Sequence, residues 1–388
     1  MESKITIGYV CETDPRRDRL AWSGLIYKIR EAIEQAGFEV VWIPFYEQTR
    51  LLKWAARLRW RLYRMGGERR IMAGVHFLPE VYGYAKSIKK NDEFNRCDIL
   101  FFPRGGQISL FLNTKKPIIY HSDATVYVMV DYYWNNCHPL SVKMACWLEK
   151  RASRKAALNV RASKWAADSV VNDCGCDPKR CEVIEFGANF DESDIHPITP
   201  YKFGRLEVLF AGVEWERKGG NIAVETVRLL RERGYDAVLN IVGIKDLPED
   251  CLKYDFIIDH GFLNKNDRYD YQKYIHLFNS CHLLLLPTQA ECAGIVFCEA
   301  AGFGMPAYTY ATGGTESYVQ NGINGYALPI TQGALEFANR ISKDIETGNM
   351  LNLHDGALDL YNERLSWSAW SRHFRIVLNS LLKDNKCV

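Results

Sequence analysis

The sequence has no apolar run approaching the roughly 20 residues that a membrane-spanning helix needs. Its opening, Met1 to Lys4, leads into a short strand pattern and not into a charged-then-apolar leader, so the expectation is a protein that stays in the cytoplasm. A charge excess is missing too. The 49 Lys and Arg against 47 Asp and Glu leave a net charge of +2, which gives no bulk reason to expect a nucleic-acid partner. There is no internal repeat, no low-complexity tract and no acidic D-x-D pair in a hydrophobic setting of the kind that holds Mg2+. Cysteine is not scarce, at 12 residues, but in a long cytoplasmic chain these thiols are expected to be reduced apolar fillers. Their one cluster, Cys174, Cys176 and Cys181, lacks the matched fourth ligand of a structural zinc site, so no metal is expected.

What is present is ordinary globular material: 388 residues, 47% hydrophobic and 25% charged, enough for two domains with separate cores. The most informative stretch runs from Pro287 to Glu316. His282 to Leu286 reads as a short buried strand, Gly294 permits a tight turn, Ile295 to Phe303 reads as a helix closed by Gly304 and Pro306, and Ala307 to Tyr310 is a second buried strand. That is a strand-loop-helix-strand unit of a parallel sheet. The helix start, at Gly294, Ile295 and Val296, offers backbone N–H groups and a positive dipole end to a phosphate. Glu299, one turn in, is placed to accept hydrogen bonds from ribose hydroxyls, and Glu291, before the turn, to hold a group beyond the phosphates. The same spacing also suits a loop cap and a solvated helix residue.

The wider pattern, P-T-x-x-E, G-I-V-x-x-E-A, G-x-P and G-G-x-E-x-x-V-x-x-G-x-x-G in one order, resembles the C-terminal half of the retaining group 1 (family 4) glycosyltransferases of GT-B fold. The resemblance implies an α/β architecture of two Rossmann-like doubly wound domains facing across a cleft. It implies that Glu291 contacts a donor sugar and Glu299 the donor ribose. After the strand Leu206 to Ala211, the family's G-R-x-x-x-x-K-G becomes G-V-E-W-E-R-K-G, which places the phosphate-binding Lys on Lys218 and leaves Arg217 to stand in for an Arg whose position is held by Val213. In the family the nucleobase lies near the segment that is Gly261, Phe262 and Leu263 here, which makes Phe262 and Leu263 donor-site candidates.

Earlier in the chain, Lys4 to Val10 reads as a strand, followed by a loop containing W-S-G and a helix from Leu25 to Ala36. Ser23 and Gly24 sit where that helix begins, so their N–H groups could face the donor phosphates, although any βα unit needs a turn glycine. His121 and Asp123 end the strand Pro117 to His121, where open sheets put ligands. They are candidates to orient a hydroxyl or move a proton, or simply to cap the next segment. The aromatic run Tyr127 to Trp134 is a candidate acceptor wall or core.

The segment Arg50 to Met65 contains no acidic residue. On a helical wheel Arg50, Lys53, Arg57, Arg61 and Arg64 share one face and Leu51, Ala55, Leu58, Leu62 and Met65 another, with Trp54 and Trp60 between them. This suits a helix lying on anionic lipid, and equally a surface helix with its apolar face on the core.

The expected domains are 1–190, joined by the last helix 367–388, and 205–366, with 191–204 as a linker. The expected activity, implied by the resemblance, is metal-independent, retaining transfer of a hexosyl group from a nucleotide-diphospho-sugar to a glycan or lipid-linked acceptor in bacterial surface polysaccharide synthesis. The nucleotide-sugar is a substrate and no cofactor is expected. The competing readings are an inactive nucleotide-sugar-binding subunit at the membrane and a nucleotide-sugar epimerase on the same scaffold.

Overall fold

A computed structural model of the chain describes residues 4–18, 21–45, 50–65, 69–197 and 204–386. The chain divides into two compact units, Met1–Ile184 with Trp370–Val388, and Glu185–Ala369.

The first unit is built on six parallel strands: β1 (Thr6–Cys11), β2 (Glu39–Pro44), β3 (Ile99–Phe102), β4 (Ile118–Ser122), β5 (Leu158–Arg161) and β6 (Cys181–Val183), in the spatial order β2-β1-β3-β4-β5-β6. The second repeats the plan with β7 (Leu206–Ala211), β8 (Ala237–Val242), β9 (Ile257–Asp259), β10 (Leu283–Leu286), β11 (Ala307–Tyr310) and β12 (Gly325–Leu328), ordered β12-β11-β10-β7-β8-β9. Helices on both faces bury both sides of such a sheet, so its strands read as unbroken apolar runs and not as alternations. Ile99 to Phe102 and Leu283 to Leu286 are such runs, buried at every residue.

Strand order, more than strand content, positions the site. In the second sheet the chain moves outward from β7 to β8 and β9, then returns to the other side of β7 to lay down β10. The topological switch point, where open α/β sheets bind ligands, therefore falls at the carboxyl ends of β7 and β10. In the first sheet the corresponding switch lies between β1 and β3, where Arg104 pairs with Glu12 at 3.2 Å.

Two boundaries differ from the sequence expectation. Residues 185–190 belong to the second unit, because Phe190 inserts among Tyr271, Tyr274, Phe278 and Phe303 and the Phe186 N–H donates to the Tyr318 hydroxyl. The expected linker begins as ordered structure of that same unit, a helical turn Glu192–Asp194 tied to the Tyr271 hydroxyl; its residues 198–203 lie outside the described residues. The final helix, Trp367–Lys386, joins the first unit from Trp370 onward, with Trp370 stacked on Phe374 and Phe374 set against Phe38 and Phe101.

The Arg50–Met65 helix forms as its pattern predicts, but its apolar face is in part already occupied. Ala55 and Leu52 are buried, Leu52 lying over Gly83 of the Leu78–Ile88 helix, and Arg59 pairs with the enclosed Glu80 at 3.1 Å. A fully inserted apolar stripe is thereby excluded for the first half of the helix. The second half differs: Trp60, Leu62 and Tyr63 are exposed beside Arg57, Arg61 and Arg64, and Arg64 lies over the Trp60 ring at 4.0 Å. Among the described residues no helix is long and apolar enough to cross a membrane.

Candidate functional site

The switch point of the second sheet brings together three of the residues singled out in sequence, Arg217, Lys218 and Glu291. After β7 the chain makes one helical turn, Trp215–Lys218, and Gly219 carries it into the helix Gly220–Glu232 at φ +76°. Only glycine fits there, because a Cβ would sit 2.1 Å from the Pro287 carbonyl oxygen at the end of β10. The two loops are laced together at this contact. The Gln289 N–H donates to the Arg217 carbonyl at 2.8 Å, and the Thr288 hydroxyl reaches the same carbonyl at 3.4 Å. The G-G-T-E segment braces the same loop from behind, with the Gly314 N–H on the Glu291 carbonyl (3.0 Å) and the Thr312 hydroxyl on the Gln289 carbonyl (3.1 Å).

This lacing brings Lys218, Arg217 and Glu291 into one cluster. The Lys218 side chain, one-tenth exposed, passes over Gly212 and ends in an ion pair with Glu291 Oε2. Arg217 stands 3.7 Å from the same oxygen, donates to the Ala290 carbonyl at 2.8 Å, and clasps Glu214 through Nε and Nη2 at 2.8 and 3.1 Å. The Arg217 hydrogen bonds hold the Glu214 carboxyl below its ordinary pKa. An ammonium has three donors, so Lys218 can serve Glu291 and a phosphate oxygen together.

Beside this cluster the helix Ile295–Gly302 begins at Gly294, in left-handed conformation (φ 86°), with no side-chain cap on its first N–H groups. Ile295 and Val296 are half-buried at this dipole end. Glu299, in the second turn, is not the open carboxylate its sequence position suggested. It is buried, with Oε1 on the Lys265 ammonium at 2.6 Å and Oε2 accepting from the Tyr274 hydroxyl at 3.0 Å. Burial, then the Glu299 charge, push the Tyr274 phenol above its usual range, so it remains a donor. Lys265 and Tyr274 carried no motif signal; the only hint was that Lys265 follows the Gly261–Leu263 strand end.

Phe262 and Leu263 part company. Phe262 is exposed and lines a cavity of about 310 Å³ with Val213, Trp215, Gly243, Lys245 and Asp246, its ring 5.4 Å from the Lys245 ammonium. Leu263 faces a different cavity, of about 520 Å³, beside Asp259, Tyr269 and His276.

In the first unit, Trp22, Ser23 and Gly24 take three successive left-handed conformations (φ 51°, 56° and 83°) before the helix Leu25–Gln35. Ser23 is exposed and Gly24 buried. His121 does not line an open surface: it is fully enclosed, Nδ1 lies 3.1 Å from the Pro103 carbonyl, and its ring packs on Phe101, Trp22 and Trp370. Burial lowers its pKa to about 3, so it is neutral near pH 7 and is not an exposed acid–base group; Asp123 is half-buried. Burial likewise lowers His76, beside Trp134, to about 4. Rings of the Tyr127 to Trp134 run pack internally, Trp134 on His76 and Tyr132 on Trp165.

These two histidines predict an acid response. Each folded pKa lies below the unfolded value of 6.5, so the unfolded chain takes up protons that the folded one refuses. The stability is complete above pH 6.5 and drains as pH falls toward about 4 for His76 and about 3 for His121. At pH 5 each accounts for about 2 kcal/mol. Thermal melts at pH 7 and pH 5 should show the loss, and His121→Gln should reduce it; an unchanged Tm on acidification would contradict the burial of both rings.

Cys174 and Cys176 pack with Val170, with Cys181 and Tyr127 against them. Burial pushes the thiols of Cys174 and Cys181 up to about 12 and 11. Among the described residues no group of three or more His, Cys, Asp or Glu is arranged to hold a metal.

Two doubly wound sheets, the second with a cationic cluster and a helix start without a side-chain cap at its switch point, define a two-unit α/β protein. Residues 191–352 of the chain match the family described as glycosyl transferases group 1. The chain's fold is GT-B, as in a glycosyltransferase from Rickettsia africae (TM-score 0.67, 15% identity, 98% of this chain and 99% of that one). Sucrose-phosphate synthase from Thermosynechococcus elongatus is similar to the same degree (TM-score 0.67, 16% identity, 98% and 100%). HepE of Anabaena, in complex with UDP and glucose, follows at TM-score 0.60 (17% identity, 97% and 100%). No curated protein matches the sequence.

Proposed function

We propose that the protein is a retaining, family 4 glycosyltransferase that moves a hexosyl group from a nucleotide-diphospho-sugar to a glycan or lipid-linked acceptor, in bacterial surface polysaccharide synthesis. The observation that carries this reading is the Lys218–Glu291–Arg217 cluster at the start of the Ile295–Gly302 helix. Glycosyl transfer develops positive charge on the sugar and negative charge on the departing diphosphate. Lys218, Arg217 and the helix-end N–H groups meet the second, in a transfer that uses no metal ion. Glu291, already held by Lys218, orients the sugar, so one cluster grips both sides of the breaking bond. Glu299 receives the ribose. The UDP and glucose of the HepE complex make a UDP-hexose the first donor to try.

Incubation with UDP-, GDP-, ADP- and dTDP-sugars tests the reading. Transfer or slow donor hydrolysis supports it. An epimerised donor favours an epimerase, and binding without turnover favours an inactive subunit.

The reading places the enzyme in the cytoplasm, visiting the inner face of an anionic membrane through the outer half of the Arg50–Met65 helix. Trp60, Leu62 and Tyr63 supply the apolar contact, and Arg57, Arg61 and Arg64 the charge, each basic residue adding about 1 kcal/mol near an anionic surface. The protein should float with phosphatidylserine-containing liposomes at low salt, and Trp60→Ala with Arg61→Ala should abolish flotation. Equal recovery with neutral and anionic vesicles would remove the idea.

A further inference from the structure

The Lys265–Glu299–Tyr274 cluster is the most thoroughly built polar group beside the cationic site, and the expected donor contacts use only one of its members. Lys265 lies on the loop after β9, Tyr274 in the helix Arg268–Ser280, and Glu299 in the helix Ile295–Gly302. Three separate elements therefore converge on one carboxylate. The Lys265 ammonium lies 2.6 Å from Oε1 and the Tyr274 hydroxyl 3.0 Å from Oε2. The ammonium also stands over the Tyr274 ring (4.2 Å) and faces the Phe190 ring (5.4 Å), so its position is fixed from several sides. Exposure is divided unequally: the Glu299 side chain is 2% accessible and that of Lys265 37%. Whatever approaches the carboxylate from solvent meets the ammonium as well.

We propose that Lys265 is a positioning and specificity residue: its ammonium and the Glu299 carboxylate together receive the vicinal diol of a ribose and reject a 2′-deoxyribose. This rests on the donor reading above. A carboxylate offers about four lone-pair directions and an ammonium three N–H donors. Lys265 and Tyr274 take one direction each, on different oxygens. One ribose hydroxyl then donates to Glu299 while its neighbour accepts from Lys265. A ligand lacking the 2′-hydroxyl leaves that charged pair incompletely satisfied, and sites built to bond a hydroxyl discriminate strongly against analogues that lack it.

The test is calorimetric titration of the full chain with UDP, GDP, ADP and dTDP, followed by the 2′-deoxy counterpart of the ribonucleotide that binds. Wild type should favour the ribo form by about 10-fold or more, the range of a hydrogen bond to a charged group. In K265M that ratio should fall toward one, chiefly through weaker binding of the ribo form, with K265Q as the second variant should K265M not fold. A variant that keeps the wild-type ratio overturns the assignment. So does a wild type that binds dTDP or the deoxy form as well as the ribo form, a result that leaves the glycosyltransferase reading intact. A purely structural Lys265 would weaken both ligands alike and leave the ratio unchanged, which also counts against the proposal. Failure of wild type to bind any nucleoside diphosphate strikes the donor reading itself.

Discussion

Lys218→Ala is expected to lower kcat by about 10²-fold or more, with a smaller change in donor binding. The argument is differential charge. In the resting protein the ammonium is neutralised by Glu291, so it adds little to ground-state attraction. On the proposed reading, the departing diphosphate gains charge and competes for that ammonium, so the interaction strengthens as the bond breaks. Loss of the side chain also leaves Glu291 to Arg217, 3.7 Å away, which would draw the guanidinium toward Glu291 and away from the proposed phosphate position. Steady-state kinetics with the active donor decides the matter. A kcat within a few-fold of wild type would remove Lys218 from leaving-group stabilisation.

Glu149→Ala is expected to destabilise the first unit by about 3–5 kcal/mol, the loss that follows when a buried ion pair keeps only one partner. Glu149 and Arg161 are both enclosed, 3.9 Å apart. The carboxylate is also hydrogen-bonded by Tyr120 at 3.0 Å and by Gln107, and burial raises its pKa. Arg161 donates to the Tyr120 carbonyl at 2.6 Å and to Asn159 Oδ1 at 3.2 Å, contacts that would remain while the countercharge disappeared. The melting transition of that unit should fall by on the order of 10 °C. Glu149→Gln, which keeps the hydrogen-bonding shape, should lose less. A melting curve unchanged in Glu149→Ala would show that Arg161 needs no countercharge.

Much of the second unit was legible because its signals are local. Gly294 before an apolar helix, glycines after β7 and unbroken apolar strands each follow from near neighbours in sequence. The meeting of Lys218 with Glu291 was not legible in that way. It depends on β10 being laid down beside β7 with β8 and β9 already on the other side, a property of strand order. The reading of His121 failed for a related reason. Strand ends in open sheets attract ligands, but here Trp22 and Trp370, from distant parts of the chain, close over the ring. Residues 185–190 were assigned to the wrong domain because nothing nearby shows that Phe190 is claimed by aromatic side chains more than eighty residues downstream. Lys265 sits in the polar run N-K-N-D, where no periodicity distinguishes a residue aimed inward from one in water.

The contact between the β7 and β10 loops has a consequence for recombination. Gly219 rests on the Pro287 carbonyl, and the Arg217 carbonyl receives the Gln289 N–H. Neither loop can be transplanted from a homologue by itself, since a foreign partner would bring its own path for the opposing backbone. Chimeras that exchange 212–220 and 287–294 as a matched set should inherit donor preference, whereas single-loop exchanges should inherit only damage.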